Sequence, residues 1–263
     1  MKLYRINAVF LRHLILVPRD LNRFVELIYW PFMDIVLWGF MSFWVQKESL
    51  TAELPLILLT ALVLWSLVYR ANMEISYSLL DELWSHNMVN LFSSPLTFSE
   101  WVVAVLMLGI VKVLFVFFYS IAAIYFLYSL NVLSLGLSLI PYALLLIISG
   151  WSIGFIVTAV ICFFGQKLQT LVWVTAYLFV PFSAVYYPVS SLPVWAQKIS
   201  YCLPMTYIFE GMRELVATGI VNRYYLLWAT ILNIVFCVVS LLFFKYIFEK
   251  TKIYGLARLE RFE

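Results

Sequence analysis

Residues 181–215, PFSAVYYPVSSLPVWAQKISYCLPMTYIFEGMREL, are almost as apolar as a membrane span, yet Pro188, Pro193 and Pro204 interrupt them. Each proline removes a backbone donor and biases the residue before it away from the helix. One continuous spanning helix is therefore not expected here. Irregular backbone at membrane depth persists only where protein or a water-filled cavity satisfies its polar groups. The segment is predicted to enter the bilayer, break, and return over 188–215 as short re-entrant helices at one surface. Such an arrangement suits the mouth of a translocation pathway.

Working outward, hydrophobic residues make up 65% of the 263-residue chain and charged residues only 12%, about half the share usual in a soluble domain. Val113 to Gln166 contains no charged residue. That run is far longer than the ~20 residues one span needs, so it must fold back. The bend is expected at Ser129–Gly136, where Asn131, Ser134 and Gly136 cluster. The fold class is an all-α polytopic membrane protein forming one domain over 1–263. Six spans are predicted, at 27–46, 55–77, 101–128, 136–164, 168–187 and 224–248.

The first 24 residues differ. Arg5, Arg12 and Arg19 recur every seven residues among Leu3, Ile6, Val9, Phe10, Leu14 and Ile15. This spacing predicts an interfacial helix with its apolar side against lipid, ended by Pro18 and Asp20; the alternative is a basic tail. The arginines also argue against a cleaved signal peptide. With the N-terminus cytoplasmic, that side collects Lys2, Arg5, Arg12, Arg19, Arg23, Lys167, Lys245, Lys250, Lys252, Arg258 and Arg261. The other side holds Lys47, Lys198, Arg213 and Arg223. The asymmetry places both termini in the cytoplasm.

One cytoplasmic loop is acidic instead. Residues 78–100 carry Asp81, Glu82 and Glu100, with His86 and neither Lys nor Arg. Over 78–92 the pattern reads as a short amphipathic helix, with Leu79, Leu80, Leu83, Trp84 and Met88 opposed to Asp81, Glu82, Ser85 and Asn87. An acidic surface helix suits a protein partner better than anionic lipid; the plainer reading is a connection between two spans.

The proline-broken segment also carries a resemblance. Tyr187, Pro188, Val189 and Ser190, then Leu192, Pro193 and Trp195, then Leu203, Pro204, Thr206 and Tyr207, and finally Glu210, Gly211 and Arg213 follow a recognisable pattern. It resembles the end of ABC-2 type transporter permeases, the membrane subunits of one class of ABC exporters. Residues 93–101, SSPLTFSEW, resemble that family's short loop leading into its third span. The likeness runs over essentially the whole chain in length and span order. It implies a permease dimer in the inner membrane of a bacterium, working with two copies of an ATP-binding cassette ATPase and exporting a drug-like amphiphile, a lipid or a lipid-linked glycan. It further implies that the 78–92 loop is the coupling helix, with Asp81, Glu82, Leu83, Trp84 and His86 meeting the ATPase. The aromatic residues of spans one and five, Trp30, Trp38, Tyr177, Tyr186 and Tyr187, are placed nearest the pathway, and Pro188, Pro193, Trp195, Pro204, Glu210 and Arg213 form the gate region.

No GxxxxGK[ST] phosphate loop occurs in the sequence, so no cofactor is assigned to this chain; ATP and Mg belong to the partner. Cys162, Cys202 and Cys237 are far apart, without CxxC or a nearby His, and read as small hydrophobes rather than metal ligands. The net charge of +3 does not point to nucleic acid, because the basic residues sit at span ends. No catalytic set is visible. The rival readings are a membrane-embedded acyl or glycosyl transferase and a non-transporting scaffold.

Ionisable residues at membrane depth are functional candidates. Asp34 either lines the path or pairs with a cation on a neighbouring span. Arg70 and Glu74 form an i,i+4 pair on the structural reading. Lys112 either snorkels or approaches Asp34, while Glu210 and Arg213 are spaced to pair. Gly150 and Gly154 form a GxxxG expected to allow close approach within the chain rather than between chains.

Overall fold

The computed structural model describes residues 2–49, 53–85 and 87–254. His86, one of the expected coupling residues, lies outside them. Ten α-helices are formed among the described residues: α1 Leu3–Leu16, α2 Leu21–Ser49, α3 Leu54–Trp84, α4 Met88–Ser93, α5 Phe98–Tyr128, α6 Leu139–Phe164, α7 Leu171–Phe179, α8 Val194–Ser200, α9 Pro204–Thr218 and α10 Arg223–Tyr254. No strand occurs among them.

Local chemistry sets the boundaries. α5 starts at a capping box in which Thr97 and Glu100 satisfy each other's backbone N–H groups. It ends at Ser129, which adopts a left-handed conformation (φ 55°). The uncharged run turns back there, as expected, through a 3-10 stretch at Val132–Ser138. α9 begins on Pro204, where the missing N–H is harmless, and stops at left-handed Gly219 (φ 72°).

α3 is the hub. It packs against α2, α5, α6 and α7, and α6 is held between α3 and α10. Most of α3 is buried, whereas α10 and α2 leave long apolar faces uncovered. Those faces are what lipid covers in a membrane protein. The α3–α6 seam explains the GxxxG. A Cβ on Gly150 would stand 2.5 Å from the Val68 carbonyl oxygen and 2.7 Å from the Ala71 Cβ, and one on Gly154 would stand 2.9 Å from the Asn72 carbonyl oxygen. Gly150→Ala is therefore expected to lower the thermal stability of the purified protein by about 1–3 kcal/mol, the usual cost of overpacking. Gly109→Ala, whose Cβ would meet the Glu74 side chain at an ordinary contact distance of 3.4 Å, serves as the comparison and should be near neutral. Equal stability of the two variants would place the Gly150 seam elsewhere.

Among the described residues five helices are long and apolar enough to cross a membrane: Arg23–Glu48, Leu54–Trp84, Phe98–Tyr128, Val132–Phe164 and Arg223–Thr251. The expected fifth span, 168–187, is shorter than predicted. Its apolar helix covers Leu171–Phe182, with a 3-10 turn at Val180–Phe182 around Pro181. Beyond it the chain leaves the helix at Ala184, whose φ is 54°. The following segment breaks as the prolines predict: a 3-10 turn at Val189–Ser191, then α8 and α9.

Two further readings are corrected. The stretch 78–92 is not one separate amphipathic helix, because residues up to Trp84 continue α3 and only Met88–Ser93 forms a short helix of its own. The amphipathic pattern reflects α3 packing: Leu79, Leu80 and Leu83 are buried in the core. α1 is a helix as predicted, but its apolar side is divided. Ile6, Val9 and His13 are buried, with α1 packed on α5, while Leu3, Leu11 and Ile15 are exposed.

Contacts between helix ends give the bundle two poles. α1 joins the start of α5 through Lys2 and Glu100 and the end of α3 through Arg12 and Glu82. Trp84 joins Gln169, and Lys250 lies over Phe163. α1 and the end of α10 thus share one pole with α4. The end of α2, the start of α3, the α5–α6 turn and the broken segment 183–222 occupy the other.

Candidate functional site

A cavity of about 770 Å³ lies between α2, α3 and α7. Its lining runs along α2 from Leu21 to Trp38, with Pro31 inside that helix. From α3 come Leu62, Trp65, Tyr69 and Arg70, and from α7 come Trp173 and Tyr177. Of the residues expected at a pathway, Trp30, Asp34, Trp38, Tyr177 and Tyr186 are brought together here. Tyr187 is not. Its hydroxyl donates to the Pro181 carbonyl at 2.8 Å, and it is absent from the lining residues.

Aromatic surfaces dominate the cavity. The rings of Trp38 and Tyr186 stack with centroids 4.0 Å apart and planes 13° from parallel. Tyr69 and Tyr177 meet at 5.5 Å. The first of these pairs joins α2 to the segment before α8, so it sits at the pole of the broken segment. Three lining residues carry ionisable charge: Glu26, Asp34 and Arg70. Arg70 is buried and donates to the backbone carbonyl of Glu26. Glu74, expected as the partner of Arg70, instead pairs with Lys112 at 2.8 Å. Lys112 accordingly does not reach Asp34. Sequence reasoning missed Glu26, Tyr69, Trp65 and Trp173. They lie outside any motif, and only the packing of three helices brings them to one void.

The broken segment is tied by one side chain. Arg213, on α9, donates from Nη2 to the carbonyl of Ala184, to that of Val185 at 3.0 Å and to that of Tyr187 at 2.8 Å. Its Nη1 lies 3.3 Å from Glu210 Oε1. Glu210 in turn accepts from the Val189 N–H at 2.7 Å. Burial pulls the Arg213 pKa down from the usual guanidinium value, against the opposing effect of Glu210. The expected pair is thus formed, and it is part of a larger clamp on backbone that no helix satisfies. Pro188 precedes the 3-10 turn, Pro193 precedes α8, Trp195 is exposed on α8, and Pro204 opens α9.

At the opposite pole the acidic residues face inward. Glu82 is fully buried, 3.0 Å from Arg12 and 3.4 Å from His13, and it accepts from Asn87 at 2.7 Å. Asp81 accepts from Arg23 at 2.6 Å. Both carboxylates therefore anchor α1 and α2 to the end of α3. Leu83 is buried, whereas Trp84 is partly exposed and donates from Nε1 to Gln169 at 3.1 Å. Ser85 and Ser93–Pro95 are exposed as well.

No curated protein matches the sequence. The sequence model of the ABC-2 type transporter family matches residues 19–217, which include every lining residue of the cavity and the whole Arg213 clamp. On that match the chain belongs to the ABC-2 type transporter family and is a membrane component of an ABC-type transporter.

Proposed function

We propose that the chain is the permease subunit of an ATP-driven exporter that moves an amphiphilic molecule out of the cytoplasm, energised by separate ATPase subunits. The observation that supports this most directly is the aromatic cavity between α2, α3 and α7. At about 770 Å³ it falls in the range of sites for drug-sized molecules. Its apolar, ring-lined wall with few charges suits an amphiphile. Two copies of the permease would work with two ATPases in the inner membrane of a bacterium, with the pole carrying α1 and α4 in the cytoplasm, as the basic asymmetry favours.

In this reading ATP-driven closure of the ATPases presses on the exposed residues Trp84, Ser85 and Ser93–Pro95. Asp81 and Glu82 pass the movement to α1 and α2 through Arg12, His13 and Arg23. α2 carries one wall of the cavity and one ring of the Trp38–Tyr186 stack. Displacing it would part the stack and open the cavity toward the broken segment, a rigid-body change of the kind common in transporters.

Co-purification with candidate ATPases and reconstitution into lipid vesicles tests the proposal. Amphiphiles are expected to stimulate hydrolysis in the complex. In a cysteine-free background, a cysteine at Lys198 should react with a membrane-impermeant reagent added outside cells. Absence of any ATPase partner, or hydrolysis that no amphiphile changes, would remove the transport reading. Labelling of position 198 only from the cytoplasmic side would invert the orientation.

A further inference from the structure

The cavity's charge is unbalanced, and the imbalance sits on Asp34. Of the three acidic or basic residues among the described lining, Arg70 and Glu26 are coupled: the guanidinium donates to the Glu26 backbone and its charge acts on the Glu26 carboxylate. Asp34 has no such neighbour. Among the described residues no cationic side chain pairs with it; Lys112, the nearest candidate on sequence grounds, is taken by Glu74. One carboxylate is therefore left facing the void without a counter-charge.

The surroundings of Asp34 are aromatic. Tyr69, Tyr177 and Tyr186 line the same cavity as its carboxylate, and Trp38 stacks on Tyr186. Ring faces attract cations and repel anions, and the attraction grows when water is excluded. A carboxylate inside an aromatic cage is the chemistry that recognises a diffuse organic cation. A small, strongly hydrated ion would gain little from the rings, and an anionic headgroup would meet repulsion from both carboxylate and rings.

We propose that this site takes lipophilic monocations, organic ammonium or phosphonium groups carrying apolar substituents, with Asp34 as the counter-charge and Tyr69, Tyr177, Tyr186 and Trp38 as the cage. This deepens the permease reading and rests on it for the direction of movement, but the binding itself can be measured without the ATPase.

The full-length permease in lipid nanodiscs is titrated with tetraphenylphosphonium and, separately, with its near-isosteric anion tetraphenylborate, with empty nanodiscs subtracted. For each ion the ratio between wild type and Asp34→Asn cancels partition into lipid. Asp34→Asn is expected to weaken tetraphenylphosphonium binding roughly tenfold, the order expected for loss of one partly desolvated counter-charge, with tetraphenylborate unchanged or tighter. Asp34→Glu should retain most of the affinity, which separates charge from packing. Equal weakening for both ions, unchanged affinity for the cation, or no saturable binding of tetraphenylphosphonium by the wild type would overturn the proposal. ATP-driven movement of a neutral amphiphile in a complex whose cation binding ignores Asp34 would remove the cation assignment and keep the permease reading. Asp34-dependent cation binding with no ATP-dependent transport would do the reverse.

Discussion

Arg213→Gln is expected to destabilise the protein by about 3–5 kcal/mol, in line with breaking a buried charge-assisted network, whereas Glu210→Gln should cost much less. The asymmetry follows from the bonding. Arg213 donates to three carbonyls, those of Ala184, Val185 and Tyr187, in a stretch where the backbone leaves the helix. Glutamine is too short and has too few donors to replace that fork. Three carbonyls then lose their partner at a site shielded from water, which is costly for each. Glu210→Gln keeps an amide oxygen able to accept from Val189 and leaves Arg213 its carbonyl partners. The double variant should therefore resemble Arg213→Gln, with little recovery. Thermal unfolding of the four proteins in detergent decides the matter. Substantial recovery in the double variant would mean that the ion pair, not the backbone clamp, holds the segment. Arg213→Lys is a useful companion: it restores charge without the planar fork and should regain only part of the loss.

The helical architecture was legible because membrane spans announce themselves by composition. The uncharged run Val113–Gln166 had to turn, and Ser129 supplies the left-handed residue at which it does so. The glycine pair could be assigned to a close contact, although that its partner is α3 needed the structure. Other features were hidden for physical reasons. Period and charge describe the face of one helix, not what stands opposite. The acidic residues Asp81 and Glu82 look free in a loop without Lys or Arg, yet their cations arrive from the chain's start, at Arg12 and Arg23. Likewise the i,i+4 spacing of Arg70 and Glu74 suggested a pair that α5 disrupts by presenting Lys112. The shortened α7 follows from Pro181 and from the demand of Arg213 for bare carbonyls just beyond it. For the cavity, Trp30, Asp34, Trp38, Tyr177 and Tyr186 were identified through the resemblance to a family whose first and fifth spans face one another. Glu26, Tyr69 and Trp173 carry no motif, and only helix packing reveals them.

The Glu74–Lys112 pair gives the second large expectation. Lys112 lies midway along α5, within an apolar helix, and its ammonium sits 2.8 Å from the Glu74 carboxylate on α3. Both side chains are mostly buried. Ser78 adds a long hydrogen bond to Glu74 at 3.5 Å. Each charge alone at this depth would be expensive, and here lipid offers no water to share the burden. Lys112→Met should leave the Glu74 carboxylate stranded behind the cavity wall, with a loss of about 3–5 kcal/mol. Glu74→Met should strand the ammonium, although a long lysine stem can swing its head toward the nearer surface, so its loss should be the smaller of the two. Replacing both by methionine removes the two desolvation costs together, and the double variant is expected to be near wild type or more stable. A double-mutant cycle on thermal unfolding reads the coupling directly. If the two losses simply add, the pair contributes nothing to the α3–α5 contact. A stable double variant that no longer transports would instead mean that these charges serve the movement of α3 against α5 and not the fold.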